Sequence, residues 1–287
     1  MLNVKKKSII HIITRLMNGG ADENTVFSCN HSVGIGDDVV LITGHEQNKE
    51  ILSKIDSRVK LITVNDLILK IDPIKDLQAL FKIKKIIKEI SPDVVHTHSS
   101  KAGVIGRFAA WLSGAKLIIH TIHSLPFIGA NFFTKKIYLV IEKVTSFITD
   151  KFINVSNGTM EIYLRYKIGH PSNHHVIYSA FDLEKFKNAN KNEGLKELNT
   201  SIDLNSSKII MRMGRFEKIK RYKELIETFN KILIKFPNVV LILVGDGELL
   251  AENIQLSKKL NLEKNIIFTG FTAYPEKIIA LSDICIM

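Results

Sequence analysis

Apolar runs of β type alternate with segments of helical period along nearly the whole chain, and the loops between them are short. That alternation admits few architectures. It predicts βαβ units and a mostly parallel sheet with helices on both faces. In the first half, strands are expected at Ile9–Ile13, Asp38–Thr43, Val59–Val64, Val94–His96, Lys116–His120 and Lys151–Val155. Helices are expected at Asp22–Val33, Ala102–Leu112 and Phe133–Phe147. A further amphipathic helix carries Leu77, Leu80, Phe81, Ile83, Ile86, Ile87 and Ile90 inward and Lys82, Lys84, Lys85 and Lys88 mostly outward. Ser91-Pro92 ends it.

Between Phe186 and Ser207 apolar periodicity fades and Asn, Lys, Glu and Ser dominate, which places a domain boundary there. The expected division is an N-terminal domain over 1–186, a linker over 187–207 and a second domain over 208–287. Alternation restarts with strands Lys208–Met213, Val239–Val244 and Ile266–Phe268, helices Arg221–Lys235, Glu248–Leu260 and Pro275–Leu281, and a strand beginning at Ile284. A second domain of about 80 residues that ends on an apolar strand is expected to be incomplete, truncated or completed by another polypeptide.

With 287 residues, 45% of them hydrophobic and 24% charged, the chain can bury a substantial core and is neither a disulfide scaffold nor disordered. Its longest aliphatic run, Val239–Val244, is far short of the roughly 20 residues that cross a bilayer. The stretch behind Lys5-Lys6-Lys7 is broken by His11 and Arg15 and lacks a cleavage site, so a cytoplasmic location is expected. Cys29 and Cys285 form neither a disulfide framework nor a metal spacing and read as buried small hydrophobes. A formal net charge of +11 favours anionic partners. No basic stripe interleaved with aromatics, RNP-like signature or zinc-finger spacing points to nucleic acid. Phosphorylated metabolites or an anionic membrane surface fit better.

Open α/β sheets bind ligands at the carboxyl ends of their strands, and several branch points here carry unusual residues. Gly19-Gly20 follows the first strand, where it is either an ordinary tight turn or a close approach to an anion at a helix N-terminus. His96-Thr97-His98 and His120-Thr121-Ile122-His123 end neighbouring strands and are expected to meet in one functional site. A metal is the alternative there, but no acidic third ligand accompanies the histidines, and no metal is expected. Met213-Gly214-Arg215-Phe216 with Lys220 reads as a diphosphate site or as a solvated basic turn. Gly245-Asp246-Gly247 and Thr269-Gly270-Phe271-Thr272 would let a base or ribose contact the main chain. The three-glycine dinucleotide fingerprint is missing after any strand, which argues against a nicotinamide enzyme.

The order of Gly19-Gly20-Ala21-Asp22, Pro92 to His98, His120 to His123, Gly214-Arg215-Phe216 with Lys220, Val244 to Gly247 and Phe268 to Phe271 resembles the retaining GT-B glycosyltransferases of family 4. The stretch from His96 to Arg107 is most similar to members that build bacterial capsule, O-antigen or lipid-linked oligosaccharides. The resemblance implies two Rossmann-like parallel-sheet domains facing a cleft, the first for acceptor and the second for a nucleotide sugar. It implies that Arg215 and Lys220 hold the donor diphosphate, that His123 contacts the transferred sugar and that His98 shapes the same pocket. The Gly19-Gly20 loop would close on donor phosphate or acceptor, Gly245 and its neighbours would approach the base or ribose, and Gly247 and Thr272 would lie near the nucleoside. The implied partners are a nucleotide sugar as substrate rather than cofactor, and a glycan or polyprenyl-linked acceptor. The Lys-rich face at Lys82–Lys88 and the apolar side of Asn131–Val140 with Lys135 and Lys136 read either as a peripheral contact with the inner membrane or as a solvated helix face and a core helix.

The chain departs from the family pattern in three places. It ends at Met287 before the Glu-x7-Glu motif, it has Arg221 where Gly is common, and it reads Tyr178-Ser179-Ala180-Phe181-Asp182 where an Asn-Gly pair is commoner. A nucleotide-sugar 2-epimerase on the same fold and a non-catalytic remnant are the rival readings.

Overall fold

Two stretches of sequence can bury both faces of a strand, and each forms an interior strand of a sheet, one place in from its edge. Val39–Thr43 is buried throughout, as is Val240–Val244, which is what central strands covered on both sides require. The computed structural model describes residues 6–17, 19–198 and 200–287; Lys5 of the basic cluster lies outside them. The chain divides into two units between Phe181 and Asp182.

The first unit runs β1 (Ser8–Ile12), α1 (Gly20–Gly34), β2 (Asp38–Thr43), α2 (Lys49–Ser53), β3 (Lys60–Thr63), α3 (Pro73–Ile90), β4 (Val94–His98), α4 (Ser100–Ser113), β5 (Ile118–Ile122), α5 (Phe132–Ser146), β6 (Lys151–Asn154), α6 (Asn157–Arg165) and β7 (His174–Val176). Its seven parallel strands lie in the order β3-β2-β1-β4-β5-β6-β7. Ile10, Ile12, Val95 and Ile118 pack beneath α3 and α4, through Ala79, Ile83, Ile87, Ala102 and Ile105. The opposite face carries Leu41, Ile13 and Val39 against Val26, Cys29 and Val33 of α1.

The second unit runs α7 (Leu183–Asn188), α8 (Lys191–Glu197), β8 (Lys208–Met213), α9 (Tyr222–Lys235), β9 (Val239–Val244), α10 (Leu250–Lys259), β10 (Ile266–Gly270), α11 (Pro275–Leu281) and β11 (Ile284–Cys285). Its parallel strands lie in the order β10-β9-β8-β11. Both sheets are of the GT-B kind expected.

Several expectations shift. The segment expected as a linker, 187–207, carries α8, and Leu198 and Leu204 join Ile209, Met211, Ile278 and Leu281 in the second core. Gly194 explains the close fit: a Cβ there would lie 2.4 Å from the Lys277 carbonyl of α11. The second unit begins earlier because Asp182 caps α7, accepting from the Glu184 and Lys185 amides. Strand β5 starts and ends two residues later than expected, since Lys116 stays at the surface paired with Asp93. In α3, Leu77 and Phe81 point outward with Ile74, while Ala79, Ile83 and Ile87 face the sheet. Cys285 is exposed, whereas Cys29 is buried as expected.

Candidate functional site

Strand order in the first sheet reverses between β1 and β4, the position at which open α/β sheets leave a crevice beyond the strand ends. His98 is the last residue of β4, and His123 follows β5 directly. Register places His11 of β1 opposite His96, and His98 opposite Thr121. Side chains at these positions share the face that α1 covers further along the sheet, so one cluster forms. The His11 Nδ1 and His98 Nε2 atoms are 2.9 Å apart, His98 Nδ1 and His123 Nε2 are 3.2 Å apart, and His96 Nε2 bonds the Thr121 hydroxyl at 2.7 Å. His11 and His98 are fully buried, while His96 and His123 are half-buried. Burial holds His11 and His123 down to about 4. Burial, then the neighbouring rings, lowers His96 and His98 well below the usual histidine value. All four are therefore neutral at pH 7.

His120 does not join them. It lies on the opposite face, bonded to the Thr97 hydroxyl at 2.9 Å and packed on Gly103, where a Cβ would stand 2.5 Å from the ring. A one-residue offset along a strand reverses the face, so four histidines at two strand ends supply three to the cluster and one to the core. His11 completes the group. From sequence alone, a lone histidine in the run Ile9–Ile13 reads as a core residue. Beside the cluster, Ser99 adopts φ 62°, ψ 169°, a region open almost only to glycine, immediately before α4. Strain of that kind concentrates at sites that work.

The Gly19-Gly20 loop is tied down rather than open. Asp22 Oδ2 accepts from the amides of Met17 and Gly19, each at 2.9 Å. Gly20 opens α1, and a Cβ there would meet empty space.

In the second unit Arg215 follows β8 and pairs with Glu217 at 2.6 Å on the surface. A recess of about 440 Å³ is lined by Arg215, Glu217, Lys218, Ile219, Gly247 and Glu248. Lys220 lies outside that lining. It ends a 3-10 turn, Lys218–Lys220, and its stem passes over Gly214. Helix α9 opens at Tyr222 rather than Arg221, which takes a left-handed conformation between the two helical segments. The glycines at this end serve main-chain packing. A Cβ on Gly245 would lie 2.1 Å from the Gly214 carbonyl oxygen, and one on Gly247 would lie 2.7 Å from the Phe216 nitrogen. Tyr222 anchors the same loop by donating to the Gly214 carbonyl at 2.8 Å and stacking on Phe216 at 4.0 Å between ring centroids. Sequence reasoning missed that pair; an aromatic six residues after Phe216 was the available signal. Thr272 accepts from the Tyr274 amide at 3.1 Å, just before α11.

Comparison with known proteins agrees with this geometry. The model of Glycosyltransferase Family 4 matches residues 29–185, more than half the chain, and that of Glycosyl transferases group 1 matches 197–287. The chain belongs to Glycosyltransferase Family 4. It is 31% identical over 237 residues to an Escherichia coli UDP-Gal:alpha-D-GlcNAc-diphosphoundecaprenol alpha-1,3-galactosyltransferase, covering 81% of this chain and 61% of the relative. It is 28% identical over 182 residues to the Staphylococcus aureus capsular polysaccharide biosynthesis glycosyltransferase CapM, covering 60% and 46% respectively. The chain thus spans about half to three-fifths of the length of these curated relatives. Among solved structures, Anabaena Alr3699/HepE in complex with UDP and glucose superposes with a TM-score of 0.78 at 18% identity, over 97% of this chain and 73% of that one.

Proposed function

We propose that the chain acts in sugar transfer from a uridine-nucleotide sugar to a polyprenyl-linked or polysaccharide acceptor of the bacterial envelope. The observation that carries the reading is the Arg215-lined recess beside Gly247 at the carboxyl ends of β8 and β9, in a chain whose relatives are named for such transfers. A diphosphate leaving group gains negative charge as the glycosidic bond to it breaks. Arg215 and Lys218 on the recess wall would offset that charge, and Lys220, outside the lining, would reach it from the adjoining 3-10 turn. Gly245, Gly247 and Thr272 would border the nucleoside, and the Gly19-Gly20 loop the donor phosphate or acceptor. His123 would contact the transferred sugar, with His98 behind it fixing the ring through the 3.2 Å bond. In this reading the chain meets the inner membrane peripherally. No helix among the described residues is long and apolar enough to cross a membrane. Support for contact comes from α5 and the residue that caps it, where Phe133, Ile137, Val140, Val144 and the C-cap Phe147 form an exposed stripe flanked by Lys135, Lys136 and Lys143.

Calorimetric titration with UDP tests the phosphate assignment. Each charge-assisted contact to an anion is worth roughly 1.5–3 kcal/mol, so Arg215→Ala should weaken UDP binding about 10- to 100-fold. Unchanged affinity would remove Arg215 from the site. Incubation with UDP-sugars and a polyprenyl-diphosphate sugar should release UDP and lengthen the acceptor. An isomerised sugar would favour the epimerase reading instead.

A further inference from the structure

We infer that His11, His96 and His98 form a binding site for one divalent transition-metal ion of borderline softness, such as Zn²⁺ or Co²⁺. One ring nitrogen from each residue lies within 4.8 Å of the others, and the ring centroids are 4.2 to 5.2 Å apart. Three nitrogens each about 2.0–2.1 Å from one ion would stand roughly 3.3 Å apart in tetrahedral geometry, so small ring rotations bring these atoms into range. The backbone is already committed to the arrangement. His96 and His98 alternate on one strand face, and His11 is the register partner of His96 across β1 and β4.

The surroundings suit a cation bound by neutral imidazoles. His11 Nε2 is buried without a hydrogen-bond partner, a spare nitrogen of the kind that native interiors rarely leave unused. Outer groups that orient metal-bound imidazoles are also present. The Thr121 hydroxyl holds His96 through Nε2, and His123 engages His98 through Nδ1. A His98 bound to the ion through Nε2 would give up its 2.9 Å hydrogen bond to His11 Nδ1 for the metal, carry its proton on Nδ1 and donate it to His123 Nε2. The three protein ligands leave a fourth position open, as in sites that also bind water. Imidazole suits zinc, cobalt, nickel and copper better than magnesium or calcium. The inference does not depend on sugar transfer, because it concerns the ion alone.

The test uses the whole chain without an affinity tag, stripped with chelator and carrying Cys285→Ser to remove the exposed thiol. Co²⁺ titration should saturate at one equivalent with a visible ligand-field band and no sulfur charge-transfer band, and Zn²⁺ should displace it. His96→Gln and His11→Asn, each checked for folding by circular dichroism, should weaken uptake at least about tenfold. His45→Gln, at an exposed histidine outside the cluster, should leave it unchanged. Nitrogen NMR of the unmutated rings provides a readout that needs no variant: Zn²⁺ should shift His11, His96 and His98 together. Absence of stoichiometric uptake, uptake undiminished in both variants, or Zn²⁺ shifts confined to other histidines would overturn the assignment.

Discussion

Arg221 holds a left-handed backbone, φ 54°, at the junction between the Lys218–Lys220 turn and α9. A non-glycine residue there is strained by about 1–2 kcal/mol, and its exposed ion pair with Glu224 returns little. Arg221→Gly should therefore raise stability by about 1 kcal/mol, seen as a higher urea midpoint. Gly245→Ala should do the reverse, by about 1–3 kcal/mol, because its methyl would strike the Gly214 carbonyl. His174 offers a pH test at the same scale. Its Nε2–H donates to the Ile168 carbonyl at 3.0 Å, its Nδ1 accepts from Asn154 at 3.1 Å, and its ring stacks on Phe152. Burial, which disfavours the charged ring, lowers its pKa below 6.5. Below pH 6.5 the unfolded chain then binds the proton more readily than the folded one. The stability from His174 is thus present above pH 6.5 and lost as pH falls through the folded value. NMR titration of the ring should give a midpoint below 6.5. A midpoint at or above it would contradict the buried neutral form.

Between elements, the decisive contact of the first unit joins α4 to α5. Arg107 is fully buried, donates to the Gly103 carbonyl at 2.8 Å, and pairs with Glu142 at 3.0 Å. Removing one partner leaves an uncompensated buried charge, so Glu142→Ala should cost about 3–5 kcal/mol in urea unfolding. The pairing was not legible in the sequence, because nothing in the spacing of residues 107 and 142 says that two helices cross there. The helices themselves were legible. In α3 the 3.6-residue period found the helix, but seven apolar positions exceed what one face can bury. Packing chose Ala79, Ile83 and Ile87, and left Ile74, Leu77 and Phe81 outside.

At the scale of the whole molecule, the exposed stripes of α3 and α5 lie on one face of the first sheet, since both helices pack on the same side. Phe147 is 89% exposed and Phe133 77%. Inserting such side chains into the interfacial region of a bilayer recovers apolar burial, and the adjoining lysines attract anionic lipid. The chain should float with anionic vesicles at low salt and less at high salt, because screening shortens the reach of the lysines. Phe133→Asp with Phe147→Asp should abolish flotation, and flotation unchanged by both would relocate the contact.

Local pattern alone determined the parallel α/β class, most element positions and the strand-end residues worth testing, because periodicity and turn chemistry are written in neighbouring residues. Short polar β7 and helix α8 escaped it, since each is stabilised by partners remote in sequence: Phe152 against His174, and the α11 backbone against Gly194. Only the tertiary structure decided which histidines meet. Register across β1, β4 and β5 set His11 beside His96 and His98 and turned His120 to the other face. Strand order is a long-range choice, made by which apolar faces bury together, and no spacing within one strand encodes it.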